Sequence, residues 1–177
     1  AVGTGVVGEG GCNISLGTSG TLFVSSSSYK EDKVNALHSF CHADGGWHLM
    51  GCILSAASCN SWWVNGILQS TDYKKEEDGL DEVIGQNDVY FLPYLMGERS
   101  PHNDVTARGA FIGMRPDTTR KIMTLAMLEG VTFALRDCLE AAKKNGAVIP
   151  RTKLCGGGAK SKLWRKIVAN VMNLPVD

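Results

Sequence analysis

The sequence has no surplus of charge of either sign. Its 177 residues carry 18 basic and 18 acidic side chains for a net charge of +0, and no basic block occurs. A surface for nucleic acid or an anionic membrane needs such a block, so neither is expected as a partner. No apolar run approaches the roughly 18 residues of a membrane span, and no signal-peptide pattern opens the chain. The G-K-[ST] of a Walker A loop occurs nowhere. C-x-x-C is also missing. Cys12, Cys41, Cys52, Cys59, Cys138 and Cys155 are scattered, mostly within apolar segments, which fits reduced, buried thiols in a cytoplasmic protein. His38, Cys41 and His42 lie close together, but Cys52 and Cys59 supply no second pair at zinc spacing, so no metal site is expected.

What remains is an ordinary globular composition, 44% apolar and 20% charged, long enough for one substantial core or for part of a larger protein. The ends suggest the second. Ala1-Val-Gly-Thr-Gly-Val-Val-Gly8 lacks a start methionine and reads like the interior of a domain. Pro175-Val-Asp177 stops just after a helical pattern, where an α/β chain would enter a strand.

Asn13–Leu16 and Thr21–Val24 suit two strands around a tight Gly17-Thr18-Ser19-Gly20 turn. Glycine at each end permits φ values that other residues avoid, and Thr18 and Ser19 add hydroxyl donors, so the turn can cradle phosphate oxygens. A polar connection, Tyr29–Asn35, leads to an apolar run over His38–Ala43 and a strand over Trp47–Ile53, making three or four antiparallel strands. Ser55 begins a helix whose Ala56, Cys59, Trp63 and Ile67 share one face. Thr71–Asp88 reads as a solvated acidic loop with a short helix. Val89–Leu95 and Ala107–Met114 bracket a polar loop, Gly97–Asp104.

Asp117 is placed to cap the longest helix, which runs to about Asn145 and stops at Gly146. Its apolar stripe is Ile122, Leu125, Leu128, Thr132, Leu135, Leu139 and Ala142. A second stripe of Ala126, Gly130 and Ala134 is small enough for close approach, and Glu129 between them reads as a structural tie. A last strand over Thr152–Cys155 runs into Gly156-Gly-Gly-Ala159 and a helix from Ser161 to Met172. That order is α/β.

Three chemistries compete for the glycine turns. A serine-nucleophile elbow needs G-x-S-x-G between strand and helix, whereas glycine follows Ser19 directly and a strand comes next. A dinucleotide fingerprint would need glycine where Ser161 stands, and such a unit opens with its motif rather than closing on it. The third joins both turns into one nucleotide cleft, with phosphates at Gly17–Gly20 and adenosine at Gly156–Ala159.

The joined pattern resembles a known family. Ser15-Leu-Gly-Thr-Ser-Gly20 is similar to the second phosphate motif of sugar kinases in the actin, Hsp70 and hexokinase superfamily. Leu154-Cys-Gly-Gly-Gly-Ala159, with Ser161 and Trp164, is similar to its adenosine motif. Gly109-Ala-Phe-Ile-Gly-Met114 followed by Ala126-Met-Leu-Glu-Gly130 resembles the second signature of the FGGY carbohydrate kinases, with Ile122 departing from a usually polar position. Four stretches look most like the family members that act on D-xylulose: His38–His42, Trp47–Met50, Ser55–Cys59 and Leu92–His102.

The resemblance implies a ribonuclease-H-like ATPase domain, a mixed sheet flanked by helices, in a two-domain kinase that closes around a cleft. Residues 1–177 would be the C-terminal, nucleotide-binding domain. The N-terminal sugar-binding domain, the catalytic aspartate expected just upstream of Ala1, and the C-terminal end would lie outside it. The implied reaction is ATP- and Mg²⁺-dependent phosphorylation of D-xylulose to D-xylulose 5-phosphate, with this chain inactive alone. By motif match Gly17, Thr18 and Ser19 contact phosphates, Gly157, Gly158 and Lys162 line the adenosine, and Ala57 and Ser61 line the same pocket. A homodimer is compatible with the resemblance. Alternatives are an FGGY kinase for gluconate, ribulose or glycerol, or a non-catalytic actin-like nucleotide-binding module. His38, His42, His102, Glu98 and Arg99 are read as structural or loop contacts.

Overall fold

The two runs around Gly17–Gly20 do form a hairpin. β1 (Cys12–Leu16) and β2 (Gly20–Ser26) pair antiparallel with Ile14 opposite Leu22. β3 (His38–Cys41) and β4 (Trp47–Ile53) extend it antiparallel, β4 lying between β3 and β2. In this computed structural model residues 1–34 and 36–177 are described, so the last residue of the expected Tyr29–Asn35 connection lies outside the described residues.

The helix expected from Ser55 begins at Ala57 as α1 (Ala57–Ser61) and widens into a π-helical turn over Trp62–Ile67. There the Leu68 N–H reaches back five residues to the Trp63 carbonyl at 2.9 Å. Widening shifts the apolar phase by one residue. Trp63 and Val64 are buried and Leu68 packs on the core, whereas Ile67, expected on the buried face, is 51% exposed.

The acidic stretch is less solvated than expected. α2 (Tyr73–Glu77) is capped by Asp72, which accepts from the Lys75 N–H at 3.1 Å. Its Glu76 is buried in a two-pronged contact with the Arg120 guanidinium, one prong being 2.9 Å. Leu80 just beyond is fully buried. β5 (Tyr90–Leu92) and β6 (Ala110–Ile112) form a separate two-stranded ribbon.

The long helix α3 (Arg120–Lys144) is capped by Thr119, whose hydroxyl accepts from the Ile122 N–H at 3.3 Å, and not by Asp117. Two residues of turn separate Asp117 from the first helical amide, too far for a cap. The helix stops at Gly146, where φ is +77°. Leu125, Leu128, Thr132, Leu135, Leu139 and Ala142 are all fully buried. They face the inward residues of β1, β2 and β4, among them Ile14, Leu16, Leu22 and Ile53. The small stripe admits β5: a methyl group on Gly130 would lie 2.1 Å from the Phe91 carbonyl oxygen. Glu129 ties the preceding loop to the helix, accepting from the Gly85 N–H at 3.1 Å and from Asn87 at 3.4 Å.

β7 (Lys153–Cys155) adds to β1 in parallel, giving a five-stranded mixed sheet in the order β3-β4-β2-β1-β7. α4 (Lys162–Met172) then packs beside α3. Residues 175–177 return along β7, the Asp177 N–H bonding the Thr152 carbonyl at 3.0 Å. No helix among the described residues is long and apolar enough to cross a membrane. Cys12, Cys52, Cys59 and Cys138 are buried free thiols, but Cys41 at the end of the edge strand β3 is exposed, contrary to expectation.

Candidate functional site: two glycine turns and the cavity beside them

The parallel pairing of β7 with β1 places the ends of both strands side by side, so the turns that leave them touch. Gly156 makes the contact. Its φ is +91°, and a methyl group there would sit 2.5 Å from the Leu16 carbonyl oxygen and 3.0 Å from the Gly17 nitrogen. Only glycine allows this conformation and approach together. The freedom expected at Gly17 and Gly20 is not used, since neither adopts a left-handed φ. Gly20 is instead required for space, a methyl group there falling 2.7 Å from the Ile53 side chain.

Backbone bonds dock the first turn onto α1. The Ala57 N–H donates to the Gly17 carbonyl at 2.8 Å, and the Ala56 N–H to the Thr18 carbonyl at 2.9 Å. Ser58 adds its hydroxyl to the same Thr18 carbonyl at 2.8 Å. The start of α1 is therefore occupied by carbonyls rather than offered to an anion, and a helix this short has little dipole to offer. Thr18 is exposed and Ser19 half-buried, and neither hydroxyl has a hydrogen-bond partner among the described residues. Those two donors and the turn's amides are what this end can present to a ligand.

Gly156 leads into a 3₁₀ turn, Gly157–Lys160, before Ser161 caps α4 by accepting the Trp164 N–H at 3.0 Å. The helix expected from about Ser161 to Met172 is thus found, with Ser161 as its cap and Lys162 as its first residue. Gly157 faces open space, with nothing within 4 Å of a methyl group placed on it, whereas Gly158 is buried between Leu16 and the Trp164 ring. Beside this turn lies a cavity of about 370 Å³ lined by Ala57, Ser61, Gly157 and Gly158, four of the eight residues expected to bind nucleotide. Lys162 faces the adjoining groove of about 580 Å³, which shares Lys74, Glu77, Lys160 and Ser161 with the cavity.

Sequence reasoning missed the outer wall, which comes from α2. Tyr73 and Glu77, four residues apart, both line the cavity. Tyr73 reaches Ser61, hydroxyl to hydroxyl, at 3.4 Å, and Glu77 accepts the Ser161 hydroxyl proton at 2.7 Å. Burial pushes the Glu77 carboxyl above the ordinary glutamate range, against the lowering effect of that bond. The i,i+4 spacing after a good N-cap, Asp72, was the available signal.

The sequence profile of the FGGY family of carbohydrate kinases, C-terminal domain, matches residues 12–177. The chain belongs to that family. It is 38% identical to the xylulose kinase of Escherichia coli (strain K12) over 180 aligned residues, covering 100% of this chain and 37% of that protein. A solved xyloylose kinase from Brucella ovis superposes with a TM-score of 0.87 at 42% identity, over 97% of this chain and 36% of that one. A gluconate kinase from Lactobacillus acidophilus superposes with a TM-score of 0.88 at 25% identity, over 99% and 36%. The chain therefore spans little more than a third of the length of the relatives it matches.

Within this FGGY domain the polar loop after β5 and the end of β3 make local ties. Arg99 donates from Nε to His38 Nε2 at 3.2 Å, His102 lies 3.7 Å from Asp137, and His42 pairs with the Val6 carbonyl at 3.1 Å. Glu98 is buried, with the Arg99 N–H donating to it at 3.0 Å. Burial pushes its carboxyl up to about 7, Asp137 adding to the rise and the backbone donors opposing it. A raised folded value means that the fold favours the protonated acid. Its contribution is full below the ordinary value of 4.5 and is lost as pH rises through about 7. Glu98→Gln is accordingly expected to match the unsubstituted chain in thermal midpoint near pH 4.5 and to exceed it increasingly up to about pH 8. A midpoint difference that stays flat across this range would refute the assignment.

Proposed function

We propose that the protein carrying this domain transfers the γ-phosphoryl group of ATP to a hydroxyl of D-xylulose, giving D-xylulose 5-phosphate, and that residues 1–177 supply its nucleotide-binding half. The contact of the two glycine turns at Gly156, with an open cavity beside it, carries the nucleotide part of this reading. The relatives named xylulose kinase favour the sugar. The gluconate kinase with the same fold supports a second reading, in which the acceptor is a sugar acid. D-xylulose itself is assigned to an N-terminal domain outside this chain.

In this reading Thr18 and Ser19, with the amides of their turn, bind and orient the phosphates. Ala57, Ser61, Gly157 and Gly158 enclose the adenosine, and Lys162 flanks it from the adjoining groove. Phosphoryl transfer depends chiefly on such positioning and on neutralising charge. Mg²⁺ supplies that neutralisation when bound. Among the described residues no three His, Cys, Asp or Glu side chains gather around one point, so this domain offers no carboxylate cage. The ion is assigned to the phosphates and water, a mode that suits magnesium. The base that takes the sugar hydroxyl's proton is assigned to an aspartate outside this chain, which leaves the chain unable to turn over alone.

The test is coupled ADP release from the longer protein with D-xylulose, D-ribulose, L-ribulose, gluconate and glycerol, this chain serving as a parallel control. Preference for D-xylulose with a silent control is expected. Thr18→Val should weaken ATP binding by about tenfold or more, the usual scale for losing a hydrogen bond to a charged group, without changing the fold. Sugar-dependent turnover by the 177-residue chain, abolished by Thr18→Val, would overturn the division of labour. No turnover with any sugar would favour an actin-like nucleotide-binding module.

A further inference from the structure

Glu77 is a carboxylate with too few donors. It is half-buried at the junction of the cavity and the groove, yet the Ser161 hydroxyl is the one hydrogen-bond donor recorded for it among the described residues. Ser161 is itself committed, giving its proton to Glu77 and accepting the Trp164 N–H. Both groups therefore present only acceptor lone pairs to the cavity. A ligand that reaches them must bring a donor.

The position decides which donor. Phosphates in the reading above sit where Gly156 meets Gly17. The Glu77–Ser161 pair lies past the far end of the Gly157–Lys160 turn, about 8 Å further on at the rise of a 3₁₀ helix. A nucleotide laid along that turn brings its base, not its phosphates, to the pair. Glu77 is held there rigidly, because the adjacent Glu76 is clamped to Arg120 on α3 while Glu77 reaches α4.

We propose that Glu77 is the residue that reads the base, accepting a hydrogen bond from the 6-amino group of adenine and rejecting purines that carry a 6-oxo group. This rests on the nucleotide reading above and extends it to nucleobase choice. A 6-oxo purine turns an acceptor towards the oxygens that faced the 6-amino group and moves its donor to the neighbouring N1, so oxygens held at the 6-position lose their partner unless the base shifts.

The experiment compares ADP, IDP and 2′-deoxy-ADP binding by calorimetry to the 177-residue chain and to Glu77→Gln, with circular dichroism to show both folded. ADP and IDP differ only at the base edge in question. The unsubstituted chain should prefer ADP by about tenfold or more. Glu77→Gln should bring the two within about threefold, because an amide can turn either its oxygen to the amine or its nitrogen to the oxo group. An unchanged ADP-to-IDP ratio in Glu77→Gln overturns the proposal while leaving the nucleotide site standing. Loss of the ADP preference over 2′-deoxy-ADP, with the ADP-to-IDP ratio intact, also overturns it and moves Glu77 to the ribose. Failure of the folded, unsubstituted chain to bind any of the three removes the nucleotide reading and the proposal with it.

Discussion

Gly156→Ala is expected to abolish nucleotide binding and to lower the thermal midpoint by about 4–24 °C. Two costs combine. An alanine held at φ +91° is strained by about 1–3 kcal/mol. Its Cβ would also lie 2.5 Å from the Leu16 oxygen and 2.6 Å from the Leu16 carbonyl carbon, both main-chain atoms that cannot rotate aside. Overpacking of this kind costs about 1–3 kcal/mol more. For a domain of this length each kcal/mol lowers the midpoint by about 2–4 °C. Relief requires the two turns to part, and their contact is the geometry on which the nucleotide reading stands. Gly157→Ala is the matched control, since its methyl group meets nothing within 4 Å and its φ is ordinary. It should keep the midpoint and act, if at all, on ligand affinity. Differential scanning fluorimetry with and without ADP separates the two variants. A Gly156→Ala chain that melts and binds like the unsubstituted one would remove the basis for joining the turns.

The strands of the sheet and both principal helices were legible because each carries its period on its surface. Continuous burial of Leu125, Leu128, Leu135 and Leu139 on α3 is what a 3.6-residue stripe predicts. The two glycine turns were legible as a pair through the resemblance, but not the reason they meet. That reason is the parallel register of β7 on β1, which places Ser15 opposite Cys155 and cannot be read from either strand alone. The role given to glycine was misplaced for the same reason. Positive φ was expected at Gly17 and Gly20 and is found at Gly156, because the tight approach is between strands rather than within the hairpin. Ile67 was placed inside by a uniform helical period, and the π-helical turn at Trp62–Ile67 broke that period. The outer wall was hidden in a stretch whose Lys74-Lys-Glu-Glu-Asp78 composition reads as solvated. The Asp72 cap and the i,i+4 spacing of Tyr73 and Glu77 mark a helix face there, but what Glu76 and Glu77 meet is supplied by Arg120 and Ser161 from distant parts of the chain.

Trp164→Ala should be the most destabilising side-chain truncation at the site, about 3–5 kcal/mol, or roughly 6–20 °C in midpoint for a domain of this length. Trp164 is fully buried and packs its ring edge on Gly158, while its Nε1–H donates to the Thr132 hydroxyl on α3 at 3.0 Å. It thereby ties three things together: the long helix, the last helix and the glycine turn that walls the cavity. Trp164→Phe keeps most of the packing and gives up the indole donor, at about 1 kcal/mol. The two variants separate support from recognition. Saturating ADP raises the midpoint of any folded chain that binds it, in proportion to the logarithm of its concentration over the dissociation constant. If Trp164 only stabilises the domain, Trp164→Ala at low temperature binds ADP normally and shows the full ligand-dependent rise. If the Gly157–Lys160 turn is held in its binding shape by the ring beneath Gly158, affinity per folded molecule falls in Trp164→Ala and is restored in Trp164→Phe. The close seating of the ring under Gly158 favours the second outcome, because removing it leaves the turn's inner face without atoms to rest on.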